Sequence, residues 1–375
     1  LSLQMDEFMN RRYEFRYNTQ IGEVEYRERF SFQFYFHPID KRAQNSIMLD
    51  AQSEGIGVWD RDIDRYLHSN RVPIYNPLEE FLFHLPHWDG KDRIHALANR
   101  VPCNNPHWEL LFHRWFLNMV SHWRGVNKMY ANSTSPILVG AQGTHKSTFC
   151  HEMIPLALRA YYTDSIDFSQ KRDAELYLNR FALINIDEFD QITLTQQGFL
   201  KHILQKSVVN LRKPHGRSVL ELQRYASFIG TSNQKDLLTD PSGSRRFICI
   251  EVTGNIDTTQ PIDYEQLYAQ AMHEISHGER YWFNSEDEQI MTENNREFEQ
   301  TPAMLQLFYQ YFRAPQAGEE GEFFTPVEIL NYLKKKSGIS LSDNKVYHFG
   351  RMLQKCGITS KHTYKGTVYQ VVKIL

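Results

Sequence analysis

One short segment, residues 136–147, carries the residue types that bind phosphate groups in proteins. It reads PILVGAQGTHKS, in which Gly140, Lys146 and Ser147 stand in the register of the phosphate-loop pattern G-x-x-x-x-G-K-[ST]. In such loops backbone N–H groups face the phosphates, the lysine reaches the β- and γ-phosphates, and the serine holds Mg²⁺. The segment therefore predicts a site for ATP and Mg²⁺, with the nucleotide bound by Gly140, Gln142, Gly143, Thr144, His145, Lys146, Ser147 and Thr148.

The sixth position of this pattern is His145, where the motif has glycine. A side chain is tolerated there if the backbone is close to right-handed helical geometry. A positive φ would instead cost about 1–2 kcal/mol. The sequence leaves both geometries open, and with them the effect of His145 on nucleotide affinity.

Two further segments end in polar side chains after an apolar run. FALINIDEFD predicts a buried strand followed by Asp187 and Glu188, a pair that would coordinate Mg²⁺ and activate the attacking water. The alternative is an ordinary strand followed by a solvated turn. The position of this segment after the glycine-rich loop favours the roles in Mg²⁺ binding and water activation. ASFIGTSN predicts another buried strand, with Asn233 at its tip as a contact to the γ-phosphate or the water.

Arg245 and Arg246 lie in the segment GSRRF, on a small-residue turn directly before a predicted strand. A surface pair is the simpler interpretation of two adjacent arginines. An arginine supplied to a neighbouring subunit's phosphoryl-transfer site would instead accelerate hydrolysis by about 10³–10⁵. That second interpretation implies a homo-oligomer, in the form of a ring or a filament.

The segment 208–224 predicts a basic hairpin. Its sequence VVNLRKPHGRSVLELQR places the turn signal Pro-His-Gly between two runs with β-branched residues. We expect the tip to present Arg212, Lys213, His215 and Arg217 to a nucleic-acid backbone, without sequence preference. A solvated charged surface is the alternative interpretation of the same residues.

Predicted strands alternate with predicted helices from residue 136 to residue 280, which is typical of an α/β domain of three layers around a mostly parallel sheet. We expect four regions: an N-terminal α+β accessory region (1–105), this core (106–282), an acidic helical linker (283–320) and a basic winged-helix-like domain (321–375). Within the first region the alternating RFSFQFYF, residues 29–36, predicts a strand.

Composition narrows the class of protein. The 375 residues are 41% hydrophobic, carry a formal charge of −3 and contain no run of about 20 apolar residues, so we expect a soluble cytoplasmic protein. Four scattered cysteines suggest neither disulfides nor zinc. His84, His87 and His95 lack a pattern of partner ligands, which favours structural roles over a metal site. The first residue, Leu1, and the lack of a signal sequence suggest a piece of a longer chain.

The ordered blocks GAQGTHKST, LINIDEFD, RKPHGRS, FIGTSN and LTDPSGSRRFICI together resemble the virulence-associated protein E family of mobile-element ATPases, which is similar to superfamily 3 helicases and AAA+ ATPases. The segment 75–97 resembles the stretch that precedes the ATPase core in that family. The resemblance implies a P-loop NTPase fold, a hexameric ring as one possible assembly and a primase domain upstream. It assigns Lys146 and Ser147 to the Walker A motif, Asp187 and Glu188 to Walker B, Asn233 to the sensor, Arg245 or Arg246 to the arginine finger, and 212–217 to a hairpin that grips single-stranded DNA.

Two classes of function follow from these observations. The first is an ATP-dependent DNA helicase or translocase that serves replication of a phage, a plasmid or another mobile element, with an ATPase that loads at an origin as a variant. The second is a nucleic-acid-binding protein with a weak or inactive ATPase site, which the departure at His145 keeps open. ATP hydrolysis stimulated by DNA discriminates between them.

Overall fold

Five parallel strands form the central sheet of the protein, which is described by a computed structural model. The description covers residues 1–125, 127–212, 219–239, 241–301, 303–316, 318–338, 346–364 and 366–374. Two compact units divide the chain, 1–299 and 300–375. The predicted acidic linker, 283–320, is thus shared between the units, because its first helix packs on the central sheet domain.

A small mixed sheet and three helices form the N-terminal part of the first unit. Met5, Phe8, Met9 and Tyr13 contribute to a separate apolar core there. The elements are α1 (Ser2–Arg12), β1 (Tyr13–Asn18), β2 (Glu23–Glu28), β3 (His37–Pro38), α2 (Lys41–Ser53), α3 (Asp60–Leu67) and β4 (Ile74–Tyr75), with strand order β3-β2-β1-β4.

The strand predicted over residues 29–36 is wrong. Strand β2 ends at Glu28, and the residues that follow form a turn and a loop. Alternation produces a stable strand only where one face is buried. Here Phe30, Phe32 and Phe34 are 72–97% exposed, so no layer covers the aromatic face.

Four helices cover one face of the central sheet: α4 (Pro77–Phe83), α5 (Arg93–Ala98), α6 (Trp108–Trp123) and α10 (Tyr264–Ser276). Helix α6 is buried along nearly all its length because it packs between the sheet and the α5 and α10 helices. Its indole groups of Trp115 and Trp123 donate hydrogen bonds to carbonyl oxygens of Phe228 and Ala182. These bonds fix the helix against the sheet.

The central sheet has the order β11-β5-β10-β7-β6, and every pair is parallel. The other elements of this unit are β5 (Ser135–Val139), α7 (Lys146–Glu152), β6 (Tyr162–Thr163), α8 (Lys171–Arg180), β7 (Leu183–Ile186), α9 (Leu194–Leu204), β10 (Ser227–Ser232), β11 (Phe247–Glu251), α11 (Ser285–Asn295) and a separate two-stranded sheet of β8 (Val208–Arg212) and β9 (Val219–Gln223). The parallel sheet confirms the predicted α/β class.

Adjacent residues of each central strand enter different apolar cores. Leu183 of β7 packs with α6 and α10, whereas its neighbour Ile184 joins the core on the opposite face, together with Leu200 of α9. Both faces are therefore covered, and the strands are apolar without alternation, as expected for buried parallel strands. Polar groups are left to the carboxyl ends of the strands, where β5, β7 and β10 all terminate at one edge.

The second unit contains α12 (Ala303–Tyr311), β12 (Phe312–Arg313), β13 (Glu322–Phe324), α13 (Pro326–Ser337), α14 (Val346–Lys355), β14 (Ser360–Thr363) and β15 (Gly366–Lys373). Strand β15 pairs antiparallel with β12, β13 and β14. Thr325 and Glu328 form a capping box at the start of α13. Two helices followed by a hairpin occur in this unit, while the winged-helix assignment stays a prediction.

Three further observations concern the cysteines, membrane-spanning helices and groups of metal-binding side chains. Cys103, Cys150, Cys249 and Cys356 are all free thiols. No helix in the described ranges combines the length and apolar character that crossing a membrane requires. Over those same ranges, no three His, Cys, Asp or Glu side chains are grouped as a metal site would need.

Candidate functional site

The glycine-rich loop joins the end of β5 to the start of α7, and two of its residues explain its composition. A Cβ at Gly140 would lie 3.0 Å from the carbonyl oxygen of Val252, which is tighter than nine in ten Cβ contacts in proteins. Gly143 has φ = +84°, in the left-handed region that favours glycine. The loop therefore folds tightly because both positions lack a side chain.

His145 has φ = +65° and ψ = +24°, so the left-handed alternative is the correct one. This backbone costs a residue with a Cβ about 1–2 kcal/mol, which is the physical reason for glycine in the motif. The residue precedes α7 as its N-cap, and its carbonyl oxygen accepts the hydrogen bond from Phe149 N at 3.0 Å. The strained conformation thus starts the helix in the geometry that the motif requires.

The ammonium group of Lys146 lies over this loop. Its Nζ donates to the carbonyl oxygens of Gly140 and Ala141, each at 2.8 Å, and lies 3.2 Å from Asn233 Oδ1. Burial lowers the pKa of Lys146 from its ordinary value, an effect that the nearby Asp187 opposes. The loop carbonyls and the side-chain oxygen of Asn233 therefore hold the Lys146 ammonium group where the sequence predicts that phosphate binds.

Asp187 lies directly after β7, at the carboxyl edge of the sheet, and accepts two hydroxyl groups on the same oxygen. Ser147 Oγ donates to Asp187 Oδ1 at 3.0 Å, and Thr231 Oγ1 of the neighbouring strand β10 donates to that oxygen as well. A hydroxyl and a carboxylate on adjoining elements are oxygen ligands of the kind that Mg²⁺ prefers. The structure thus brings Ser147 and Asp187 together, while their role as ligands of Mg²⁺ stays a prediction.

Glu188 also has a left-handed backbone, with φ = +52°. Strained residues of this kind concentrate at functional sites, where the surrounding structure holds them. Glu188 lines the same cleft as the loop, a space of about 330 Å³. The cleft is lined by Gln142, Gly143, Thr144, His145, Lys146, Ser147, Thr148, Asp187, Glu188, Thr231, Ser232 and Asn233.

Thr231, Ser232 and Asp190 were not among the predicted site residues. Ser232 Oγ lies 2.8 Å from Asp190 Oδ1 and accepts a hydrogen bond from the backbone N–H of Gln234. These contacts connect the end of β10 to the turn after β7. The signal in the sequence was the pair of hydroxyl residues directly before Asn233, although only pairing of the two strands shows which carboxylate they contact.

Arg245 and Arg246 end a 3₁₀ helix, Pro241–Arg246, immediately before β11. The guanidinium group of Arg245 forms an ion pair with Glu288 of α11, with 3.1 Å between Nη1 and Oε2. Neither arginine belongs to the set of described residues that line the cleft of their own subunit.

The basic hairpin consists of β8 and β9, which pair antiparallel from Val208 to Arg212. Arg212 is the last residue of β8, opposite Val219. Lys213, His215 and Arg217 lie outside the described residues. Two strands linked at the predicted position confirm the hairpin, while its role in binding stays a prediction.

The fold and the cleft define an α/β protein with a parallel sheet and a polar site at its carboxyl edge. The family model of the virulence-associated protein E-like domain matches residues 82–300, and the chain belongs to this family. A second model, described as a domain of unknown function from B. Theta, matches residues 301–371. The predicted resemblance is thereby confirmed.

Solved structures of the NrS-1 C-terminal region are among those that match this chain. The apo structure of residues 305–718 of that protein matches with 11% identity and a TM-score of 0.47, covering 99% of this chain and 98% of the other. An A-form apo structure of the same region matches with 11% identity and a TM-score of 0.46, covering 97% and 96%. No curated protein matches the sequence.

Proposed function

We propose that this protein is an ATPase that moves along or unwinds DNA, as the helicase part of a primase-helicase of a phage, a plasmid or another mobile element. The observation that carries the proposal is the convergence of two hydrogen-bonded pairs, Lys146 with Asn233 and Ser147 with Asp187, at one edge of the sheet. Membership of the virulence-associated protein E-like family supports a helicase-related role. The site and the family membership thus both favour ATP hydrolysis.

The cleft suits the phosphate groups of ATP. Its volume of about 330 Å³ lies at the small end of ligand sites, and an ammonium group and the loop backbone line it. In the proposed mechanism Lys146 exchanges its carbonyl partners for phosphate oxygens, while Ser147 and Asp187 would hold Mg²⁺. When bound there, the ion would neutralise charge at the transferring phosphoryl group. The donor set fits because Mg²⁺ needs few protein ligands and retains water and phosphate oxygens.

Glu188 and Asn233 perform the remaining steps. Glu188 lies at the rim of the cleft with an exposed carboxylate, where it orients the attacking water and accepts its proton. Asn233 Oδ1 contacts the Lys146 ammonium, so its amide nitrogen is positioned to sense the γ-phosphate. Hydrolysis would then change the contacts at the tip of β10, and this change is one way in which hydrolysis would drive movement along DNA.

Arg245 and Arg246 act on the site of a neighbouring subunit in this proposal. Neither arginine is among the described residues that line the cleft of its own chain, as expected of a residue supplied to a neighbouring subunit. The assembly would be a homo-oligomer, with a hexameric ring as the form that the family resemblance implies. Single-stranded DNA would be gripped by the hairpin at 212–217, and the basic second unit would bind DNA as a winged-helix-like domain.

A second candidate is a nucleic-acid-binding or origin-loading protein whose ATPase is weak or inactive. The observation that favours it is the strained His145 backbone, with φ = +65° in a loop that ordinarily has glycine. The side chain is exposed and lines the cleft. In this alternative His145 competes for space with the nucleotide.

The test compares ATP hydrolysis, with and without single-stranded DNA, in the wild-type protein and in Lys146→Ala and Glu188→Gln variants. We expect DNA-stimulated hydrolysis in the wild type only, together with strand displacement that requires ATP. Asp190→Asn serves as a control for loss of a carboxylate near the site. Equal low rates in all proteins would favour the second candidate, and hydrolysis without displacement would remove the unwinding claim.

A further inference from the structure

The loop between β2 and β3, residues 29–36, exposes four aromatic rings and is here named the aromatic loop. Phe30, Phe32, Phe34 and Tyr35 are 86%, 97%, 72% and 80% exposed. With about 150–250 Å² per aromatic side chain, the exposed area totals roughly 500–800 Å². The largest apolar patch of an ordinary monomer covers about 300–600 Å². An area of this size in one loop marks an interaction surface.

The aromatic loop is anchored to the sheet below it. Arg27 Nη1 donates to the carbonyl oxygen of Phe34 at 3.0 Å, and Arg29 N donates to Arg12 O at 2.9 Å. The ring of Phe36 lies between the guanidinium groups of Arg16 and Arg27, at 4.0 Å and 4.7 Å from its centroid. These contacts hold both ends of the loop, so binding would cost little ordering of the backbone.

The charge around the loop is positive. No acidic residue occurs from Arg29 to Ile39, and once the Arg27–Glu14 ion pair is left out the stretch 28–42 contains three Lys or Arg residues against two acidic ones, a net charge of +1. The carboxylates of the underlying sheet, Glu14 and Glu25, are paired with Arg27 and Arg16. Lys41 and Arg42 are exposed at the start of α2. This surface therefore attracts a polyanion more strongly than an acidic or an uncharged apolar surface would.

The exposed apolar side chains of the loop are all aromatic. Phe30, Phe32 and Phe34 alternate with Ser31 and Gln33, and no aliphatic side chain occurs before Ile39. Flat rings with cations nearby suit nucleic-acid bases, because every base offers a π-face to a ring and its phosphate to a cation. Aromatic rings are also enriched at protein interfaces, so the nearby cations, rather than the rings alone, favour a nucleic acid.

We propose that the aromatic loop is a stacking platform for single-stranded DNA, separate from the basic hairpin at 208–224. The choice of DNA rests on the proposed function, whereas the binding itself requires no nucleotide. Stacking on several rings would retain a strand near the protein while the hairpin moves it. The contact would tolerate any sequence, since stacking does not read base edges.

The test measures binding of a fluorescein-labelled oligothymidylate of about 20 nucleotides to the full chain by fluorescence anisotropy, without ATP. The variant Phe30→Leu, Phe32→Leu, Phe34→Leu keeps the apolar character and removes the rings. We expect it to bind about 10-fold or more weakly, and the corresponding three Phe→Tyr changes to bind like wild type. Phe83→Leu, at an 83% exposed position on α4, is the matched control and should have no effect.

A second measurement reports on the loop directly. A Phe32→Trp variant should lose tryptophan fluorescence when oligothymidylate is added, because a stacked base quenches indole, whereas Phe83→Trp should not. Unchanged affinity of the leucine variant together with no quenching at position 32 would overturn the proposal. Loop-dependent binding of an oligouridylate but not of the DNA would also overturn it. So would a self-association that the leucine changes abolish while DNA affinity is unchanged.

The same measurements in a Lys146→Ala background separate this inference from the proposed function. Loop-dependent DNA binding that persists when hydrolysis is lost, or when the wild type has none, supports the platform alone. Hydrolysis stimulated by DNA in a protein whose aromatic loop is dispensable for binding supports the ATPase alone.

Discussion

Ser147 and Asp187, which are 40 residues apart in the chain, meet with 3.0 Å between Oγ and Oδ1. The serine belongs to the first turn of α7, and the aspartate follows β7. The contact joins the glycine-rich loop to the next segment of the site, and it brings together the two side chains that the sequence predicted as ligands of Mg²⁺.

Thr231→Val should weaken ATP hydrolysis. The hydroxyl of Thr231 donates to the same oxygen of Asp187 that Ser147 contacts, so its removal frees the carboxylate to rotate. Loss of such a supporting hydrogen bond typically costs about 10-fold or more in metal affinity or activity. We expect a lower rate and a higher Mg²⁺ concentration at half-maximal activity. Thr231→Ser, which keeps the hydroxyl, should behave like wild type, and an unchanged Mg²⁺ dependence in the valine variant would contradict the assignment.

His145→Gly should stabilise the protein. The backbone at position 145 is left-handed, and glycine adopts this conformation without the cost of about 1–2 kcal/mol that a Cβ brings. The gain is reduced by the greater freedom of glycine in the unfolded chain. Chemical denaturation should report a free energy of unfolding higher by about 1 kcal/mol. His145→Ala, which keeps the Cβ, is the control, and equal effects of both changes would show that the side chain rather than the backbone matters.

Glu274→Gln should reduce the acid sensitivity of the first unit. Burial of Glu274 disfavours its charge, yet hydrogen bonds from His113 and Gln270 outweigh this and lower the pKa of the carboxyl group below its ordinary value. A carboxyl group with a lowered pKa in the folded state stabilises the protein above the ordinary pKa of glutamate, and this contribution is lost as the pH falls through the folded pKa.

The wild-type protein should therefore lose stability below about pH 4.5 more steeply than the Glu274→Gln variant. Thermal unfolding across this pH range measures the difference. Glu265→Gln, in the first turn of the same helix α10, is the control and should retain the wild-type slope. Parallel curves for Glu274→Gln and wild type would contradict the role of this hydrogen-bonded carboxylate.

Arg245→Ala protein should inhibit the wild type when the two are mixed. If Arg245 completes the site of a neighbouring subunit, each mixed assembly contains sites without an arginine, and activity falls more than dilution predicts. Glu288→Gln, which removes the ion-pair partner of Arg245 and keeps the arginine, should stay active. Activity that falls in proportion to the wild-type fraction would count against a site shared between subunits.

The sequence alone was sufficient for features that depend on local chemistry. Glycine at positions 140 and 143, followed by lysine and serine, predicts the tight loop and the helix start that the structure contains. Alternation of apolar strands and helices predicts the parallel α/β sheet, and five ordered motifs predict the family that the comparison confirms. These features can be predicted from the sequence because each depends on a few neighbouring residues.

Only the tertiary structure decided the features that depend on contacts between distant segments. The order of the strands brings Thr231 to Asp187, and packing of α11 on the core pairs Glu288 with Arg245. The left-handed backbone of His145 follows from the path that the loop takes, and the residue type alone did not reveal it. Alternating aromatics at 29–36 predicted a strand, but a strand needs a partner and a covering layer, and the fold supplies neither to the rings.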